Sequence, residues 1–256
     1  MVNKLRNKLH DPLVVGTHAT MSDPIVSQIL GYVGFDFLWI DTEHTPMDYS
    51  VLQGLLDGAS LSGISSVVRV PVFDPSHVKR VVDMGPDGII FPMVNTRQEA
   101  DAMMDLCLYP PHGTRGFGPA RAIRYSFDSI PEYIKDHEKR LVRMIQIESE
   151  TAVKNLPEII QNPYIDVYII GPNDMAGSIG EMGNPTGENT VALIKETISI
   201  LKAANKPIGI STYSTDPEVL KYWLGMGVNI ISSGVDYEYI IHGAQSNLST
   251  IQELGK

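Results

Sequence analysis

Short apolar runs alternate with amphipathic helical patterns along the whole chain, and that alternation leaves few folds open. The runs with strand length are Leu13–Thr17, Phe35–Ile40, Ser66–Val70, Gly88–Met93, Leu141–Ile147, Asp166–Ile170, Pro207–Ser211 and Asn229–Ser233. Each is followed by a helical pattern, often opened by a cap residue and a proline, as at Ser22-Asp-Pro and Asp74-Pro75. Between the fifth and sixth runs the helix starts at Ser149, so these two strands are parallel neighbours joined by a right-handed crossover. Eight such units predict a closed (β/α)8 TIM barrel, and 256 residues suit one, so residues 1–256 read as a single domain. A doubly wound sheet is the alternative; it usually has fewer strands, and no GxGxxG follows the first strand.

In such barrels chemistry sits where the strands end, and that rule selects residues. The selected set is Thr17 and His18; Asp41, Glu43 and His44; Arg69; Gln146 and Glu148; Asp174; Thr212; and Ser233. Glu148 and Asp174 close adjacent strands and so reach the same edge of the sheet. Two carboxylates there repel unless a proton or a divalent cation lies between them, and a hard ion such as Mg²⁺ or Mn²⁺ takes oxygen ligands of this kind. The competing reading makes them helix N-terminal acids favoured by the dipole. Asp41, three residues before His44, could accept its ring N–H and make it a general base; a structural loop histidine is the alternative. Arg69 would point into the mouth, to bind a carboxylate or enolate oxygen, or would form a buried ion pair with Asp41 or Glu43. The turn Gly171-Pro172-Asn173-Asp174 offers backbone amides to an anion, or is an ordinary Gly-Pro turn. The long loop Tyr109–Ser126, with Arg115, Arg121 and Arg124, would cover the site, reach a neighbouring subunit, or lie solvated on the surface.

Composition narrows the class. A formal charge of −10 with no basic cluster argues against a nucleic-acid surface. No apolar run is long enough to cross a membrane, and the first residues, through Pro12, are polar, with no visible signal peptide. The single cysteine, Cys107, fits a reducing cytoplasm and sits in an amphipathic helical pattern, which makes it a packing residue.

Five segments together resemble the HpcH/HpaI aldolase family of metal-dependent class II pyruvate aldolases. They are GFDFLWIDTEHTPMD (Gly34–Asp48), VVRVP (Val67–Pro71), YPPHGTRGFG (Tyr109–Gly118), MIQIES (Met144–Ser149) and IIGPNDM (Ile169–Met175). The resemblance implies a barrel that swaps its last helix between subunits and assembles as a hexamer, a trimer of dimers. It implies Glu148 and Asp174 as ligands of Mg²⁺, Mn²⁺ or Co²⁺. His44 paired with Asp41 would be the base, and Arg69 would bind the pyruvate oxygen. Gln146 would sit close to the metal, and the amides around Asn173, after Gly171 and Pro172, would take the pyruvate carboxylate. Thr212 would line the substrate site. Asp83 matches an acid that family members lend to a neighbour's active site, on resemblance alone. Thr42 stands where many members have Gly, and the segment after Gly118 departs from better-known members, so the aldehyde is open. The expected reaction is reversible cleavage of a 4-hydroxy-2-oxo acid to pyruvate, or a related 2-oxo acid, and an aldehyde. No lysine falls at a strand end, which separates the chain from Schiff-base aldolases. The rivals are another enolate-forming lyase, acting on a thioester or by decarboxylation, and a non-catalytic binder of 2-oxo acids.

Overall fold

The computed structural model describes residues 3–71 and 74–255. The first half runs α1 (Lys4–Lys8), β1 (Val14–Ala19), α2 (Pro24–Val33), β2 (Phe37–Asp41), α3 (Tyr49–Ser62), β3 (Ser65–Arg69), α4 (Pro75–Met84), β4 (Gly88–Phe91) and α5 (Arg97–Cys107). A 3₁₀ turn (Arg121–Ser126) and α6 (Ile130–Arg140) lead to β5 (Val142–Ile147). Then come α7 (Glu150–Ile159), β6 (Val167–Ile170), α8 (Pro172–Ser178), α9 (Glu188–Ala203), β7 (Ile208–Ser211), α10 (Pro217–Gly225), β8 (Ile230–Val235) and α11 (Asp236–Leu254). The eight strands pair in sequence order, all parallel, and β8 closes on β1, as the alternation predicts.

The helices start where the sequence places caps. Asp23, Asp74 and Asp216 each accept a backbone N–H in the first turn, with Pro at the start of the helix. Thr96 and Glu99 form a reciprocal capping box on α5. Along β2 the side chains alternate between two cores. Phe37 and Trp39 join Val67, Ile90, Met144 and Ile169 inside the barrel, while Leu38 and Ile40 join the layer beneath the helices.

The sequence reading assigns no element to the N-terminal stretch. Its polar residues alternate with Leu5 and Leu9, and it folds as the short helix α1; Leu5 within it and Leu9 at its C-cap are buried with the barrel-interior cluster. Arg6 anchors it through a bidentate pair with Asp166, at 2.7 and 2.8 Å. The chain thus plugs the end of the barrel at which the strands begin.

That end is stapled by a repeated device. Asp36, Asp87, Asp166 and Asn229 each stand just before an even-numbered strand. Each side chain accepts the backbone N–H of the preceding strand, from Val15, Ser66, Arg143 and Ile208, at 2.8–3.0 Å. Its own N–H returns a bond to the carbonyl of the same partner residue. Four reciprocal pairs hold the strand starts together, and the opposite rim is left to carry chemistry.

Two further expectations change. Gly171-Pro172-Asn173-Asp174 does not form an isolated turn: Gly171 caps and the next three residues open the seven-residue helix α8. The loop Tyr109–Ser126 follows α5 down the outside of the barrel, so it lies at the strand-start end, away from this chain's own mouth. Arg115 there pairs with Asp83 at 2.8 Å, Arg121 with Asp57 at 2.7 Å, and Arg124 with Asp128. Covering its own site is excluded for this loop.

Candidate active site

The rim formed by the strand ends carries a cavity of about 440 Å³, lined by Arg69, Gln146, Glu148, Gly171 to Asp174, Thr186 and the run Ser211–Ser214. The registers explain the gathering. Asp41 lies opposite Arg69 on β2 and β3, and Gln146 lies opposite Ile169 on β5 and β6. Glu148 follows Ile147, and Asp174 falls in the first turn of α8 directly after β6.

Glu148 is a buried acid. One carboxylate oxygen accepts the Met93 N–H at 3.0 Å, and the other accepts the Gln146 side-chain amide. Burial drives its pKa up to about 8, and the neighbouring charge of Asp174 adds to the rise. Only a glycine fits opposite: a Cβ on Gly171 would collide with the Glu148 carboxylate. Gly171→Ala is therefore expected to displace that carboxylate and weaken Mn²⁺ binding by about tenfold or more, read by calorimetric titration. Unchanged affinity would separate the glycine from the site.

Arg69 sits between two acids. Its Nε and Nη2 donate to the two oxygens of Asp41 at 3.0 and 2.6 Å, and Nη1 lies 3.2 Å from Glu43 Oε2. The guanidinium also lies 5.3 Å from the Trp39 ring centroid. Burial opposes charge on Asp41, but the Arg69 hydrogen bonds and charge outweigh it and hold that carboxyl below its usual range. Glu43 goes the other way: burial raises its pKa despite Arg69, with Asp41 and Asp174 contributing.

The expected Asp41–His44 pair is not formed. Asp41 is a short side chain with a better partner in Arg69, and its Oδ1 is shared with the backbone N–H groups of Glu43 and His44. The His44 ring, 67% exposed, faces Glu43 instead, with Nε2 3.5 Å from Oε2. Arg69 proves to be both a buried ion pair with Asp41 and Glu43 and a lining residue of the mouth. Thr212 lines the cavity just past β7 and accepts the Ser214 N–H at 3.2 Å. Asp83, at the last turn of α4, lies away from this mouth and pairs with Arg115. Sequence reasoning passed over Ser211 and Tyr213. The strand-end rule would have reached Ser211 had it been applied to the last residue of β7, one position earlier.

The donor set fits a hard divalent cation. Among the described residues no cluster of three or more Asp, Glu, His or Cys could enclose a metal. Glu148 and Asp174 alone would hold one, with the remaining oxygens from water or substrate, the habit of Mg²⁺. Two observations support the fit. Burial and the charge of Asp174 raise the cost of ionising Glu148, which a dication relieves. The Gln146 Oε1 atom is buried without a hydrogen-bond partner beside Glu148, so an oxygen acceptor there awaits a donor or a cation.

Comparison with known proteins agrees with this geometry. The family model described as HpcH/HpaI aldolase/citrate lyase matches residues 15–243. The chain belongs to that family. It is an enzyme, a lyase of the aldolase type, as its family and its aldolase relatives show. Among its relatives is the hydroxypyruvate/pyruvate aldolase of Roseovarius nubinhibens, 30% identical over 93% of this chain and 91% of that protein. Another is the 2-dehydro-3,6-dideoxy-6-sulfogluconate aldolase of Pseudomonas putida, 32% identical over 93% and 92%. A solved HpcH/HpaI aldolase/citrate lyase family protein from Burkholderia cenocepacia superimposes with a TM-score of 0.90 at 25% identity, covering 98% of this aldolase and 99% of that chain.

Proposed function

We propose that this aldolase depends on a divalent cation held by Glu148 and Asp174, and that its substrate is a 4-hydroxy-2-oxo acid. The observation that carries the reading is the Glu148 site: a buried carboxyl with pKa about 8, beside a second acid and an orphaned amide oxygen, lining the strand-end cavity. When bound, Mg²⁺, Mn²⁺ or Co²⁺ would supply Lewis-acid polarisation of the 2-oxo acid.

The chain's own groups supply the rest. Arg69 is neutralised by two carboxylates but still lines the cavity, and it stabilises the negative oxygen that develops as the C3–C4 bond breaks. Amides at Gly171, Pro172 and Asn173 frame the place of the substrate carboxylate; Pro172 has no N–H, so the donors are those of Asn173 and Asp174. His44 takes the 4-hydroxyl proton, directly or through one water. Its orienting acid is Glu43, whose oxygen faces the ring, and Asp41 acts by holding Arg69 and the backbone of residues 43 and 44.

We place the working enzyme in the cytoplasm as a homo-oligomer, a hexamer built as a trimer of dimers. The C-terminal helix α11 supports this, because Ile240, Ile241, Leu248 and Ile251 are exposed along it. Asp83, remote from its own barrel mouth, would serve a neighbour's. Among the described residues no helix is long and apolar enough to cross a membrane.

The decisive experiment is pyruvate release from a panel of 4-hydroxy-2-oxo acids, with and without a chelator, for the wild type and for His44→Ala. Release that stops on chelation and returns with Mg²⁺ or Mn²⁺ is expected. His44→Ala should lower kcat by about a hundredfold or more while cation affinity stays within about twofold. Full activity in excess chelator would end the metal reading, and an unchanged kcat would remove His44.

A further inference from the structure

The cavity has a second wall that the aldolase chemistry leaves unused. It is made by Ser211, Thr212 and Tyr213 at the end of β7, and behind it lies His18 of β1. His18 is 1% exposed and clamped between rings, with centroids 5.1 Å from Trp39 and 4.6 Å from Tyr213.

The hydrogen bonds around His18 fix its tautomer. Nδ1 lies 2.9 Å from the Gly234 carbonyl oxygen, which can only accept, so Nδ1 carries the proton. Burial keeps the ring neutral, with its pKa pushed down to about 4. Nε2 is then a bare acceptor. The Ser211 hydroxyl, at 3.0 Å, must donate to it; the Ser232 hydroxyl, at 3.4 Å, is the weaker competitor. With its one proton committed inward, Ser211 has only lone pairs left to offer the cavity.

A group that can only accept selects a donor. A carboxylate, sulfonate or aldehyde oxygen cannot satisfy it, and a methyl group leaves it empty. An alcohol can. We infer that Ser211, aimed by the neutral His18, accepts a hydrogen bond from a hydroxyl group of the substrate and so selects a hydroxylated reactant over its deoxy analogue. The inference rests on the aldolase reading and adds the chemical class of a reactant to it. The hydroxyl can belong to either half of the product: to the aldehyde, as in a 2-hydroxyaldehyde, or to the 2-oxo acid, as in its 3-hydroxy form.

Condensation kinetics separate these sources. The reactants are pyruvate or hydroxypyruvate, each with propanal or 2-hydroxypropanal, under saturating Mg²⁺. The readout is the ratio of kcat/KM for the hydroxylated reactant to that for its deoxy partner, compared between wild type and variants so that intrinsic reactivity cancels. In one of the two positions Ser211→Ala should lower that ratio about tenfold, the size of one neutral hydrogen bond, and leave the ratio at the other position within about threefold. His18→Phe, which keeps a ring between Trp39 and Tyr213 but removes the acceptor, should lower the same ratio, because the Ser211 proton is then free to turn. General damage to the fold would lower all four reactions together and leave the ratios alone. Ratios unchanged in both variants overturn the inference while the aldolase reading stands. Product from none of the four pairs in the wild type overturns both.

Discussion

Glu148→Gln should abolish metal-dependent turnover and leave the metal-free protein at least as stable as the wild type. The two halves have one cause. A buried carboxyl with a pKa near 8 is held against its preference for water, and at neutral pH it is mostly protonated until a cation arrives. An amide of the same shape removes that conflict, and the Met93 N–H still finds an oxygen acceptor. What is lost is the anionic ligand. Removing residues that merely orient metal ligands costs about 10–100-fold in affinity or activity, so loss of a ligand itself should exceed about a hundredfold in kcat. Thermal unfolding with and without Mn²⁺ gives the second readout. The wild type should gain stability with cation concentration by mass action, and the variant should not. A variant that kept its activity, or gained the same stabilisation from Mn²⁺, would move the metal elsewhere.

Arg69→Met should be the most damaging single change to stability near the site. Arg69 is the cation shared by Asp41 and Glu43, and all three side chains are largely shielded from water. Deleting one member of a buried ion pair costs about 3–5 kcal/mol because the remaining charge is stranded. Here two carboxylates would be stranded, and one of them, Glu43, already feels the charge of Asp174. Arg69→Lys should recover only part of the loss, since a single ammonium cannot reproduce the two-pronged contact with Asp41 while reaching Glu43. Asp41→Asn in the Arg69→Met background should restore some stability by removing one stranded charge. Denaturant unfolding of the three variants decides this; an Arg69→Met loss under about 1 kcal/mol would show that solvent reaches the pair.

The two predictions differ in how far the sequence alone reaches them. Glu148 and Asp174 could be paired from two strand ends and one crossover, because parallel neighbours joined by a helix must finish on the same side. Asp41 and Arg69 could be placed on adjacent strand ends by the same rule. Whether Asp41 would serve His44 or Arg69 could not be read, since both are within reach and the choice depends on competing geometry. The guanidinium won because it offers two donors to two oxygens, whereas the neighbouring histidine ring turns outward toward Glu43. The Thr42 departure has a local consequence: its hydroxyl donates to the Arg69 carbonyl at 2.6 Å, tying β2 to the end of β3.

The sequence by itself determined the barrel, the order of its strands and the rim on which the acids gather. Those follow from the period of the apolar pattern and from chain connectivity, which are local and handed. Only the tertiary structure decided which partner each polar side chain takes, that α1 plugs the barrel floor with Leu5 and Leu9, that the arginine-rich loop lies at the wrong end to serve its own site, and that Ser211 faces the cavity with its proton turned away. Hydrogen-bond direction depends on what lies behind a side chain as much as on what lies beside it in the chain. His18 and Ser211 are 193 positions apart, and nothing short of closing the barrel brings them together.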